Sequence, residues 1–519
     1  MRASNSLRLI VLILAAATLL AGITGCGPKG SSGGGSGKTE NVLRYAIRLD
    51  PPSLDPAILQ DVYTSELVQN VYEGLTTIDE NNKPVPCLAE KWDISPNGMT
   101  YTFHLRQGVK FTNGDPFTAE DVKYSLERVL LPETKSPTGP NYLAGVVGVK
   151  EMVAGTSKTL SGLKVIDPST VSITLDKPRA YFLSMIAYPS NFILSKKTLQ
   201  SAHGPFTKDQ AIGTGLFKVE KFDQGSLVVL TANTSYWGGR PKLDRIERPV
   251  VINFQTTHAK YEADETDVCE TNTTDYKADS QDSRFKTQTQ VIPQANTWYI
   301  AFHPKLEPKF ADVRVRRAFA MAINRDELTR IATNGVYPRA DGFLPPGMPG
   351  FTTGLNKIPY DPEAAKKLFA EAGFPGGAGF PKLKCVYAQG TIESAAAVQR
   401  IRSDLKTNLD VELETQERES GIFFKETGDK ELIPFFFTGW VADYIDPQDF
   451  LSTMLRTGSA LNHVAYSNTK FDALCDEADS TTDMDKRVKL YQQADQICVD
   501  DVAFLPIMYG SQPILIKPR

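Results

Sequence analysis

Two hydrophobic periods alternate along this chain. Residues 99–105 (MTYTFHL) carry an apolar side chain at every second position, the period of a strand with one buried face. Arg106-Gln107-Gly108 turns that strand into Val109-Lys110-Phe111, and Asn113-Gly114 marks the next turn. Residues 118–130 (TAEDVKYSLERVL) then read as a helix, with Thr118 as N-cap and Asp121 three positions on, close to a capping box. Leu67, Val68, Val71, Tyr72 and Leu75 form a helical stripe that predicts a helix over 63–75. Further helices are expected over 313–324, over 362–372 with Gly373 as a left-handed cap, and over 485–499. Strands are expected over 43–49, 170–175, 227–230 and 504–508. Helices and strands interleave with no internal repeat, which predicts an α/β or α+β class with mixed sheets.

The N-terminus carries an address. Arg2 and Arg8 precede a short apolar run over 9–22, too short to span a bilayer about 30 Å thick, so residues 1–25 read as a secretory signal. The run ends in Ile23-Thr24-Gly25-Cys26, which resembles a bacterial lipobox. In such signals the cysteine is acylated and becomes the first residue of the mature chain. The other reading is an ordinary cleavage site beside a bystander cysteine. Residues 26–37 form a tether, and Gly or Ser fills 9 of the 13 positions over 27–39, the composition of a flexible coil. That coil also holds a chance GxSxG over 30–34, without the strand and helix that a nucleophile elbow requires.

Length and charge narrow the classes. A chain of 519 residues predicts two to four domain-sized units. The net charge of −4, or −6 once residues 1–25 leave with two arginines, gives no basic surface for nucleic acid. Six cysteines without a CxxC pair, and five histidines without an HExxH pair, point to no zinc site. No Ser/His/Asp order or phosphate loop survives inspection, so no catalytic residue, metal or cofactor is expected.

Eight blocks, taken in order, make the chain familiar. They are Ser53-Leu54-Asp55-Pro56, Asn70-Val71-Tyr72-Glu73-Gly74-Leu75, Leu88-Ala89-Glu90-Lys91-Trp92 and the stretch 100–128 (TYTFHLRQGVKFTNGDPFTAEDVKYSLER). Gly213-Thr214-Gly215 follows with Asn233 and Tyr236-Trp237, then 310–318 (FADVRVRRA), 322–325 (AINR) and 439–447 (GWVADYIDP). From about Val42 to Pro518 the chain resembles the family 5 extracellular solute-binding proteins, the oligopeptide/dipeptide-binding lipoproteins of ABC importers. The resemblance implies a two-lobe periplasmic-binding-protein-like fold of type II, in the large cluster with an extra inserted subdomain. Lobe I would comprise 38–77, 180–292 and 499–519, with the insert at 78–179 and lobe II at 293–498. Hinge crossings would fall near Pro293 and Val499.

The resemblance also implies partners and a place. They are an oligopeptide held between closing lobes, the transmembrane subunits of an ABC permease, and the membrane through lipid on Cys26, at the extracellular face or in the periplasm. The chain is expected to be a monomer and not an enzyme. A peptide ammonium needs a fixed anion. In peptide-binding members that anion is the Asp of the GWxADY-like motif, here Asp443; its other reading is a turn cap. Asp446, beside Pro447, reads as turn chemistry. Val62, Tyr63, Thr64, Gly439, Trp440 and Val441 are the segments expected to read the ligand backbone. Trp440 fits stacking on ligand and filling core equally. Tyr142 is expected to offer a hydroxyl, and His463, beside Asn462, is the remaining candidate against a plain surface role.

One position departs from the family pattern. Some short-peptide members place an arginine two residues before the Gly of the GW motif, where Phe437 stands here, within Phe435-Phe436-Phe437. Either Arg400, Arg402 or Lys425 replaces it, or the ligand's C-terminus goes unread. Cys475 and Cys498 fall in adjacent expected helices and fit a bridge or separate thiols equally. The alternatives keep the fold and change the cargo to a nickel complex, haem or an oligosaccharide, or change the role to a peptide-signal receptor.

Overall fold

The period-two run becomes the strand Thr100–Leu105, in which Tyr101, Phe103 and Leu105 enter one core while the alternate residues face away. The computed structural model describes residues 40–518 apart from 60, 203, 390–391 and 429–431; the signal segment, the tether and Cys26 lie outside them. The strands in chain order are β1 (Val42–Arg44), β2 (Thr76–Ile78), β3 (Pro84–Pro86), β4 (Ala89–Ile94), β5 (Thr100–Leu105), β6 (Leu163–Asp167), β7 (Thr170–Thr174) and β8 (Phe217–Asp223). They continue as β9 (Leu227–Ala232), β10 (Arg245–Pro249), β11 (Val268–Glu270), β12 (Thr289–Phe302), β13 (Leu383–Ala388), β14 (Leu413–Arg418), β15 (Phe435–Val441) and β16 (Phe504–Ile516). Their sheets run β1-β10-β9-β8, β4-β5-β7-β6, β2-β3 and β11-β16-β12-β15-β13-β14.

β12 and β16 are the long strands, and they pair antiparallel in two stretches. Thr289 to Pro293 faces Leu515 to Ser511, and Thr297 to Ala301 faces Tyr509 to Phe504, with a register break between Pro293 and Thr297. The strand expected to end at Met508 therefore runs on to Ile516, because its second half pairs with β12 on one side and β11 on the other. Val499 lies inside the helix Met484–Asp501, in one core with Ile300, Phe437, Leu505 and Met508.

The expected helix over 63–75 stops at Val68. The carbonyls of Asn70 and Val71 accept N–H bonds from Phe217 and Gly215 at 2.9 Å each, so a tertiary contact replaces helical bonds there. The stripe is buried nonetheless, with Leu67, Val68, Val71, Tyr72 and Leu75 at 0–1% exposure. The close approach explains Gly213, where a Cβ would stand 2.0 Å from the Val71 carbonyl oxygen. Thr118 caps Ala119–Arg128, and the Asp121 carboxylate accepts from its N–H and hydroxyl at 2.9 Å each. Gly373, at φ +100°, ends Pro362–Glu371.

Most of the sequence blocks act as clamps between distant segments. Arg128 grips Asp55 with two hydrogen bonds, at 2.9 and 2.5 Å. Glu73 accepts from Thr214, Tyr236 and Trp237 at 2.7, 2.7 and 3.0 Å. Arg316 donates to the carbonyls of Asp501 and Val502, stopping the last long helix where Val502 turns left-handed at φ +47°. Arg325 donates to the carbonyls of Ala340, Pro506 and Ile358. Cys475 and Cys498 are separate buried thiols in one core.

Candidate functional site

Strand directions single out one zone. β11 and β12 both run antiparallel to β16, so β11 points from the first β12–β16 stretch toward the second. β15 runs antiparallel to β12 and points the other way. β1 and β10 run parallel with β11, joined through the Tyr45–Val268 bridge, and β13 and β14 run parallel with β15. Six C-terminal strand ends thus converge on the zone that β12 and β16 cross, and ligands of open α/β sheets bind outside such ends.

One wall is the end of β15. Gly439, Trp440 and Val441 pair with Trp298, Thr297 and Asn296 of β12. On the other side, pairing with β13 among the described residues covers only Phe436 and Phe437, so the backbone beyond Phe437 extends past its neighbour. Gly439 is required there because a Cβ would stand 3.0 Å from the Trp298 indole. The strand leads into Asp443, which is exposed. One oxygen of Asp449 accepts both the Trp440 indole N–H, at 3.0 Å, and the Asp443 backbone N–H, at 2.9 Å. Asp449 is 1% exposed, and burial, then the charge of Asp443, push its carboxyl well above the usual range. The Asp443 carboxyl is raised too, by desolvation, against the lowering effect of the Tyr142 hydroxyl.

Tyr142 reaches this wall from the helix Gly139–Tyr142. Its ring lies flat on Tyr188, with centroids 3.5 Å apart, and edge-on to Tyr444; its hydroxyl donates to the Asp443 carbonyl at 3.5 Å. Tyr181 lies nearly parallel to Tyr444, at 6.2 Å. Residues 78–179 therefore touch the Asp443 wall directly.

The facing wall is polar. Tyr45 and Tyr63 donate to the two oxygens of Glu270 at 2.5 and 3.1 Å. Arg48 stands 3.7 Å from Glu270, its guanidinium 3.2 Å above the Phe254 ring. The segment Val62-Tyr63-Thr64 corrects an expectation here, because it is the first turn of a helix and offers no extended edge. Asp61 caps that turn through the Thr64 N–H and hydroxyl, Val62 projects outward, and Tyr63 contributes its phenol.

His463 lies in a loop tied by the buried amide of Asn462 to the carbonyls of Leu455, Arg456 and Tyr466. Asp446 is more than a turn residue, since it holds Arg487 through two bonds of 2.6 Å in the interior. Phe437 is core, stacked on Trp298 at 5.7 Å, and Arg400 is paired with Asp404 at 2.9 Å. Sequence reasoning missed Trp298, Asp449, Arg48 and Glu270. A usable signal existed for Trp298, since only four tryptophans occur and two of them sit on this edge.

Residues 83–462 match the family described as bacterial extracellular solute-binding proteins, family 5. That match covers more than half of the chain, and the chain belongs to this family. It is 27% identical to the dipeptide-binding protein DppE of Bacillus subtilis, over 94% of this chain and 90% of that one. It is 30% identical to heme-binding protein A of Haemophilus influenzae, over 98% of this chain and 95% of that one. Among solved structures, the unliganded open form of the periplasmic murein tripeptide binding protein MppA superposes with a TM-score of 0.81 at 26% identity, covering 93% of this chain and 94% of that one. The fold is that of the periplasmic binding proteins. Among the described residues, no helix is long and apolar enough to cross a membrane.

Proposed function

We propose that this chain is the substrate-binding component of a peptide ABC importer, capturing oligopeptides outside the cytoplasm and handing them to the permease's transmembrane subunits. The observation that carries the reading is the β13-side edge of β15, which among the described residues has no strand partner beyond Phe437 and leads to the exposed Asp443. A peptide added there gains main-chain hydrogen bonds that ignore its sequence, and its ammonium meets a carboxylate. The names of the relatives, one dipeptide-binding and one haem-binding, support a small-ligand receptor and favour peptide together with Asp443.

The two stretches of β12 and β16 support a hinge at 293–297 and 509–511, rather than at Val499. A first lobe and a second lobe close about it, with 78–179 as the insert of the first. The chain acts as a monomer anchored by lipid on Cys26. Titration calorimetry of Asp443→Ala against a free-amine peptide tests the anchor. The expected result is loss of binding with an unchanged melting profile, since a closed cleft would bury an unpaired ammonium. Unchanged affinity overturns it.

A further inference from the structure

We infer that Arg48 is an anion-reading site on the wall opposite Asp443, taking a carboxylate of the bound ligand; this rests on the peptide reading above and deepens it. Arg48 follows β1, one of the strands whose C-terminal ends converge on the cleft. Its side chain is only 18% exposed, yet it makes no hydrogen bond among the described residues, and its Nε is buried without a partner. Among the described residues Glu270 is the one carboxylate within 4 Å of it, and at 3.7 Å it is beyond hydrogen-bond reach. Both oxygens of Glu270 are already occupied by the phenols of Tyr45 and Tyr63. The neighbouring arginine, Arg248, lies over the Tyr45 ring and pairs with Glu66 at 3.4 Å.

A guanidinium has five donors in a planar fork, and a buried donor without an acceptor is costly. The Arg48 guanidinium lies 3.2 Å over the Phe254 ring, a contact that holds it in place without using its donors. A carboxylate fits that fork with two parallel hydrogen bonds. On the far wall Phe437 is core and Arg400 is already paired with Asp404. A ligand with an ammonium on Asp443 and a carboxylate on Arg48 bridges both walls, and so favours the closed form by its differential contacts.

The carboxylate has two sources in a peptide, the C-terminus or an acidic side chain. Calorimetry on the purified chain, with Arg48→Gln and Arg48→Lys, separates them. Three peptides with free N-termini are compared: a free acid, its C-terminal amide, and that amide with one neutral residue changed to glutamate. Amidation is expected to weaken wild-type binding at least about ten-fold, and Arg48→Gln to bind acid and amide alike, as weakly as wild type binds the amide. Recovery by the glutamate peptide shows that Arg48 also takes a side-chain carboxylate, and no recovery restricts the site to the C-terminus. Arg48→Lys, which keeps the charge without the fork, is expected to retain part of the preference, and it decides the matter should Arg48→Gln fail to fold. An amidation penalty equal in wild type and variants, or none in wild type for either carboxylate, overturns the inference alone. Failure of every peptide to bind wild type contradicts the proposed function and this inference with it.

Discussion

The indole of Trp298 lies against Gly439 so closely that a Cβ on the glycine would meet three ring atoms at 3.0–3.3 Å. The ring is fixed from behind by Phe437, 5.7 Å away and nearly parallel. Gly439→Ala must therefore displace either Trp298 or the end of β15. The expected outcome is a loss of about 1–3 kcal/mol in urea unfolding, the usual cost of overpacking, together with weaker ligand binding. Unchanged stability and affinity would mean that the indole is free to move.

Glu73 gathers donors from more than 140 residues away, with Thr214, Tyr236 and Trp237 all on one carboxylate. Burial raises its carboxyl, and those hydrogen bonds oppose the rise. Glu73→Ala leaves the buried Thr214 hydroxyl and the half-buried donors of Tyr236 and Trp237 without an acceptor, and a loss of about 1–3 kcal/mol is expected from equilibrium denaturation. Glu73→Gln keeps acceptor capacity and is expected to cost less.

Arg487 and Asp446 form an interior ion pair, 1% and 5% exposed. Removing either partner strands a buried charge, so Arg487→Met and Asp446→Asn are each expected to cost about 3–5 kcal/mol. Thermal denaturation of the two single variants and the double checks this. The double variant should lose less than the sum of the singles, because no uncompensated charge remains.

Asp495 is 1% exposed and accepts the Phe343 N–H at 2.8 Å, and burial pushes its carboxyl up to about 6. Asp479 is also raised to about 6 by burial, against the hydrogen bonds of Tyr491 and Ser452. The folded pKa of each lies above the unfolded value of about 3.9, so the folded state holds these protons more tightly. The stability they contribute is full below about pH 4 and is lost as pH rises through about 6. Urea unfolding of Asp495→Asn is expected to depend less on pH across that window than wild type, by on the order of 2 kcal/mol. Parallel curves for the two proteins would contradict the assignment.

Local chemistry was legible in the sequence and long-range pairing was not. Alternation over 99–105, the Thr118 cap and the Gly373 stop depend on neighbours a few residues away, and each stands as expected. β12 escaped because Pro293, Gln294 and Asn296 interrupt its apolar pattern where the register breaks. The helix over 63–75 was overcalled because donors from 215–217 take its last carbonyls. Asp443, Trp440, Gly439 and Tyr142 enter the candidate site only through the resemblance, with no local pattern to mark them. On the opposite wall the resemblance points to Tyr63 but not to Glu270, which meets it across 207 residues.

Thermal shift of the purified chain against matched peptide pools decides whether Asp443 receives a peptide ammonium, as proposed. One pool carries free N-termini and the other is N-acetylated. Ligand at about a hundred times its dissociation constant adds roughly 2.7 kcal/mol, visible as a higher melting temperature. Stabilisation by the free-amine pool alone, abolished in Asp443→Ala, is the expected result. Equal stabilisation by both pools, or by neither, would contradict it.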